Sequence, residues 1–273
     1  MHLRHQIIVG AFEVAGIPCA LEGGDDALAG LLAPAYADFA TDAPPRLSLT
    51  IELVPPPPDE VARAWQGPYA RITGGAGALA IEGPGFRGAF DERSGRGWIV
   101  QPPDPTPFET FLTAIYAGAL LREGGFLLHA AALLAPEGAR VFFGPSESGK
   151  TTVSRLVGEG VISDEYAAIR RAGDHWRVSG VPWRGSRLEG DLAGLFRLLK
   201  ADGVAFHPLT PVEAVRELLG SVLFSRADEA EIARFLEIAG DLVVRVDCYA
   251  MRFTPDRSFW TARPARGRGG VEC

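Results

Sequence analysis

The sequence predicts an α/β chain in two parts, a mostly antiparallel α+β part over 1–105 and an α/β part over 106–273. Three observations predict it. Short, Gly-punctuated runs with strand-like alternation fill the first hundred residues. A Pro-rich stretch, PPDPTP at 102–107, then breaks the pattern where packed units commonly separate. Beyond it, helix-like runs alternate with short apolar strands, the texture of an α/β fold. With 273 residues, 47% of them hydrophobic and 22% charged, the chain can bury a large core without metal or disulfide staples.

In order along the first part, strands are expected at 6–14 and 17–21, a helix at 26–36, and a strand at 46–53, where LSLTIEL alternates strictly. After Pro55 to Pro58, strands follow near 69–72, 78–81 and 97–100. In the second part, FETFLTAIYAGALL from Phe108 reads as a helix, and apolar strands follow at 126–134 and 141–143. A helix starts near Gly149, with strands at 161–162, 167–171 and 176–178 after it. Helices near 211–223 and 228–238 and strands near 242–246 and 250–253 complete the pattern. The tail RGRGG at 266–270 is expected to fray.

Charge and cysteine content narrow the classes of function. Twenty-seven Lys and Arg against 34 Asp and Glu leave a formal charge of −7, so no bulk positive field draws nucleic acid or an anionic membrane, and neither partner is expected. Cys19, Cys248 and Cys273 share no metal-ligand spacing and form no even framework, which fits a reducing cytoplasm. The N-terminus lacks the succession of a signal peptide. The longest apolar stretch, 111–121, stops at Arg122 and falls short of the ~20 residues of a membrane span.

One segment carries chemistry. VFFGPSESGKTT, from Val141, fits G-x-x-x-x-G-K-[ST], with Gly144, Gly149, Lys150 and Thr151 at the fixed positions and Pro145, Ser146, Glu147 and Ser148 between them. An apolar strand precedes it and the helical run TTVSRLV follows, so backbone N–H groups and a positive helix end point at one place. Lys150 suits the β- and γ-phosphates of a nucleotide and the Thr151 hydroxyl one position around Mg²⁺, while Thr152 continues the helix. The competing reading is a Gly-rich turn that merely feeds a helix.

A phosphate site with a metal also needs a carboxylate, usually at the end of a neighbouring apolar strand. VISDE, from Val161, supplies Asp164 and Glu165 after one helix and a short return from Lys150; the competing reading is a solvated turn. His129, in the otherwise apolar FLLHAAAL, reads on pattern alone as a buried histidine satisfied within the core.

Taken in order, His129 in its apolar strand, then GPSESGKTT, then ISDE resemble the catalytic core of HPr kinase/phosphorylase and its HPr-kinase-like relatives. That core is itself similar to the ATP-dependent phosphoenolpyruvate carboxykinase fold. The resemblance covers about residues 108–260, with GVPWRG from Gly180 and FTPDRSFW from Phe253 as further shared features, and does not extend to the first hundred residues. It implies a P-loop kinase core that transfers the γ-phosphoryl group of ATP to a hydroxyl, typically a serine, on a protein or peptide.

Residue by residue, the resemblance gives Lys150 and Thr151 the phosphate and Mg²⁺ contacts, His129 a place beside the transferred phosphate, and the acidic pair the base and metal work, with Asp164 on the metal. The family pair is Asp-Asp and its second member takes the hydroxyl proton; here that position is Glu165, one methylene longer, so its backbone shifts or Asp164 takes over. SGVPWRG stands where the family's Gly-rich signature loop is found, so HPr itself and the phosphorylase reaction are not expected. Arg184 and Arg187 are candidate donors to the transferring phosphate and Glu189 a further metal ligand, or the start of an exposed helix. Family members are often homo-oligomers. Two other readings stand beside the kinase: an ATP-binding regulatory or scaffold protein that has lost transfer, and a small-molecule kinase.

Overall fold

The computed structural model describes residues 8–23, 26–58, 69–75 and 77–264. The first residues of the strand expected from 6, the 266–270 tail and Cys273 lie outside them. Within these residues the chain is mixed α/β, with two mixed sheets and six α-helices. By contact it divides into two units, 1–119 with 224–228, and 120–223 with 229–273.

The first unit is built on a seven-stranded sheet in the order β1-β2-β3-β7-β6-β5-β4. Its strands are β1 (Ile8–Val14), β2 (Ile17–Gly23), β3 (Leu47–Leu53), β4 (Arg71–Thr73), β5 (Ala78–Gly83), β6 (Phe86–Asp91) and β7 (Arg96–Gln101). The β2–β3 and β3–β7 pairs are parallel and the other four antiparallel, in keeping with a mostly antiparallel sheet. Strand β6 is not visible in the sequence pattern, because Gly83, Gly85 and Gly88 read as turns. Gly88 is in fact a strand residue whose added Cβ would stand 2.9 Å from the Phe111 ring.

Helix α1 (Asp26–Tyr36) lies where its pattern places it. Helix α2 (Pro105–Arg122) starts inside the Pro-rich stretch that predicts a break. Proline lacks only an N–H that the first helical turn leaves unbonded, and Asp104 Oδ1 accepts the Thr106 N–H at 2.9 Å. Tyr116 of α2 is fully buried and donates its hydroxyl to the Ile17 carbonyl at 3.0 Å. Arg226, far along the chain, completes this unit by pairing with the nearly buried Glu92 at 2.8 Å.

The second unit contains β8 (Gly125–Ala135), β9 (Gly138–Phe143), β10 (Val161–Ser163), β11 (Tyr166–Ala172), β12 (His175–Ser179), β13 (Glu189–Lys200), β14 (Ala205–Pro208), β15 (Val222–Leu223) and β16 (Cys248–Phe253). Strands β8, β11, β12, β13 and β9 pair in a closed cycle. The two long strands make this possible. Residues 125–129 of β8 pair with β11 and residues 130–135 with β9, while β13 leaves β12 after Asp191 and continues between β9 and β16, parallel to both. The C-terminal ends of β9, β13 and β16 therefore point the same way, the end of a parallel sheet where ligands bind.

Helix α3 (Lys150–Val157) packs Val153 and Val157 against Ala131, Phe142 and Phe253, which fixes it over the end of β9. Helix α4 (Pro211–Leu219) opens with a complete capping box between Thr210 and Glu213. It ends at Leu219, short of the expected 223, and β15 follows.

Two expectations are corrected here. Residues 242–245 are not a strand but the last turn of α5 (Glu229–Arg245), and Val246 lies just past it, because buried Phe235, Ile238, Ala239 and Leu242 keep helical spacing and override the β-branched Val243-Val244. Glu189 does not start a helix but β13, pairing with Ser179 of β12. The short helix α6 (Ser258–Thr261) ends the described chain. No helix among the described residues is long and apolar enough to cross a membrane, and Cys19 and Cys248 are free and buried.

Candidate functional site

The loop between β9 and α3 is built around two glycines that do different work. Gly144, at φ 147°, leaves the strand with the Ser148 hydroxyl 3.0 Å from where a Cβ would stand. Gly149, at φ 112°, is the N-cap of α3, and a Cβ there would meet Phe253 Cζ at 2.7 Å. Glu147 between them also holds a left-handed φ of 64°, a conformation that disfavours its side chain by about 1–2 kcal/mol and that recurs at binding sites.

No side chain caps α3, so the N–H groups of its first turn are left for a ligand. The Ser148 hydroxyl is buried and has no hydrogen-bond partner among the described residues. A buried orphan hydroxyl, an uncapped helix end and a lysine in one loop are the chemistry of an anion cradle.

Lys150 is buried, and its Nζ donates to the carbonyls of Gly144 at 2.9 Å and Pro145 at 3.0 Å, bridging the loop's own backbone. Burial holds its pKa below the usual lysine value, and Glu165 opposes that shift. Beside the loop lies a cavity of about 400 Å³ lined by His129, Ser146, Glu147, Gly149, Lys150, Thr151, Thr152 and Lys200.

The acidic pair reaches this place through the sheet. Ala130 of β8 pairs with Phe143, the last residue before the loop, and on its other side donates its N–H to the Glu165 carbonyl at 2.9 Å. The loop and Glu165 are thus two strand spacings apart, about 10 Å, on the same end of the sheet. His129 sits where β8 passes from β11 to β9. It pairs with Tyr166, and the two rings meet edge to face at 6.0 Å. Its pKa is lowered, first by burial and then by Lys150, against the pull of Glu165, so the three residues share one electrostatic environment.

Ser163 holds the acidic turn. It is fully buried, accepts the N–H groups of Glu165 at 3.2 Å and Tyr166 at 2.9 Å, and donates to the Arg184 carbonyl at 2.9 Å. The GVPWRGS loop is sewn to β10 by Ser186, whose hydroxyl donates to the Val161 carbonyl at 2.7 Å. Its glycines are needed for contact: a Cβ on Gly180 or Gly185 would stand 2.6 Å from the Ile162 carbonyl. This docking brings Arg184 Nε to 3.1 Å from Glu165 Oε2.

Neither a family model nor a curated protein matches the chain. The functional reading rests on the site.

Of the residues the sequence singles out, Lys150, Thr151, Thr152, Ser146, Glu147, Gly149 and His129 line one cavity, while Gly144, Pro145 and Ser148 shape its loop. Glu165 acts on that cavity electrostatically, and Asp164, next to it, is exposed. Arg187 is exposed. Glu189 is engaged by Ser179 at 3.3 Å and Arg177 at 3.4 Å, at the opposite end of β13 from the cavity.

Sequence reasoning misses Lys200, Ser163 and Tyr166. The apolar run LAGLFRLL before Lys200 is the signal that could have found it, since it marks a buried strand ending at a cation. Among the described residues no three His, Cys, Asp or Glu form a metal cage. A magnesium ion held at a phosphate loop takes most of its shell from phosphate and water, and the Thr151 hydroxyl at the cavity is a donor of the kind such an ion takes.

Proposed function

We propose that the chain is an ATP-dependent phosphotransferase of the HPr-kinase-like type, acting on a hydroxyl, typically serine, of a protein or peptide. The observation that carries the reading is the line Phe143, Ala130, Glu165 across the sheet, which sets a lysine-bearing phosphate loop and a carboxylate beside the same histidine.

In this reading the loop N–H groups and Lys150 hold the β- and γ-phosphates, Lys150 exchanging the carbonyls of Gly144 and Pro145 for phosphate oxygens. Thr151 and Asp164 hold magnesium, which supplies charge neutralisation at the phosphates. Glu165 accepts the proton of the acceptor hydroxyl as its oxygen bonds to the γ-phosphorus and the bond to the β-phosphate oxygen breaks, giving a phosphoester and ADP. The protein contributes positioning and charge, and no covalent enzyme intermediate is needed. His129, kept neutral by burial and Lys150, adds no competing positive charge and can accept or donate one hydrogen bond at the transferred phosphate.

One observation favours a second reading, a nucleotide-binding regulatory protein without transfer. Arg184 occupies Glu165, the carboxylate assigned as base. Titration calorimetry of Mg²⁺-ATP into wild type and Lys150→Ala, followed by measurement of ADP release, separates the readings. Binding that Lys150→Ala abolishes, with ADP release, supports the kinase; binding without release on any candidate acceptor supports the regulator. No binding to wild type removes both.

A further inference from the structure

We propose that Lys200 is a second phosphate-binding residue, holding the phosphate nearest the nucleoside while His129 and Glu165 flank the one that is transferred; this rests on the phosphate-loop reading above. Lys200 is the last residue of β13, is exposed, and lines the same cavity as Lys150 and His129. Its ammonium engages no hydrogen-bond or ion-pair partner among the described residues. The contrast on its own strand is direct: Arg197, three residues earlier, is held by Glu217 at 2.6 Å. Of these two cations of β13, the one at the cavity is the one left available.

Strand order says which phosphates it meets. The strand that carries the loop, β9, lies between β8 and β13. His129 and the acidic turn belong to the β8 side, and Lys200 to the β13 side, about two strand spacings or roughly 10 Å across. A polyphosphate lying in the loop has one end toward each flank. Transfer needs the terminal phosphate beside Glu165, and the loop with Lys150 holds the β-phosphate, which leaves the α-phosphate to Lys200.

The position has a further meaning. The parallel neighbour of a phosphate-loop strand is where such sites commonly place a metal-holding carboxylate. Here that strand ends in Leu198, Leu199 and a lysine, so positive charge is offered to phosphate directly rather than through a metal, and the carboxylates lie on the opposite flank.

A contact to the α-phosphate is present in both ATP and ADP, so it contributes equally to the affinity for each. Lys200→Gln in the full chain is therefore expected to weaken Mg²⁺-ATP and Mg²⁺-ADP by the same factor, about tenfold for one charge-assisted contact at an exposed site. Lys200→Arg restores most of it.

Loss for ATP with ADP unaffected would place Lys200 on the terminal phosphate and overturn the proposal. So would unchanged affinity for both in Lys200→Gln while Lys150→Ala abolishes binding, an outcome that leaves the phosphate-loop reading standing. Absence of nucleotide binding to wild type overturns that reading and this proposal with it. The exposed position of Lys200 predicts an unaltered thermal midpoint for Lys200→Gln, which keeps the affinities comparable.

Discussion

Arg184 Nε stands 3.1 Å from Glu165 Oε2, so the carboxylate beside Lys150 and His129 is already paired with a guanidinium. Both side chains are 40% exposed, and an exposed pair of this kind contributes no more than about 1 kcal/mol to stability. Arg184→Gln is therefore expected to leave the unfolding midpoint nearly unchanged and to lower phosphoryl transfer by on the order of a hundredfold, the usual effect of removing one donor from developing charge. A rise in ADP release would instead identify Arg184 as a brake on Glu165.

Lys150 and the acidic pair are expected to fail in different ways. Lys150→Ala removes nucleotide binding, because the loop loses its only lysine. Asp164→Asn and Glu165→Gln keep most of the affinity and lose turnover. Calorimetry and ADP release on the same samples check this division, and equal loss of affinity in all three variants would contradict it.

Gly149 tests the loop without any ligand. A Cβ at this position would require both a φ of 112° and a place 2.7 Å from Phe253 Cζ, deep in the core that seats α3. Gly149→Ala should lower stability by about 2–4 kcal/mol, summing backbone strain and overpacking. Urea unfolding of the free protein measures it.

His129 sets a pH dependence. Its folded pKa lies below the ordinary 6.5, so between the two values the unfolded chain binds a proton that the folded chain resists. This contribution to stability is complete above pH 6.5 and is lost as pH falls through the folded value. His129→Gln should remove that part of the slope in urea midpoints between pH 7.5 and 5. By NMR titration, Lys150→Ala should move the His129 pKa upward and Glu165→Gln downward, since Lys150 lowers it and Glu165 raises it.

What the sequence makes legible is local. The strand, loop and helix around Lys150 are readable because glycine spacing and apolar periodicity are short-range signals, and α1 is placed to the residue for the same reason. The hidden features are the ones that depend on distant pairing. β13 reads as a polar helix start at Glu189 because its first residues pair with β12 and its last with β9 and β16, which blurs any single period. Lys200 inherits its meaning from β9, nearly sixty residues earlier; the apolar run before it marks the end of a buried strand but not which strand it lies beside. Residues 242–245 show the reverse error, a β-like composition overruled by the buried face of a helix already under way. The acidic turn is found from its spacing, yet its partner Arg184 is fixed only by the docking of a loop through Ser163 and Ser186.

The pairing of Arg226 with Glu92 gives the first unit an odd timetable during synthesis. Every strand of its sheet has been made by residue 101, yet the guanidinium that neutralises the nearly buried Glu92 is more than a hundred residues away. At the ribosome's pace of about 5–20 residues per second that is a wait on the order of 5–25 s. Until then the Arg226 contact with Glu92 cannot form, so this unit reaches its full set of contacts only after most of the chain has been made. Expressing residues 1–119 alone should yield a sheet that never receives its last charge.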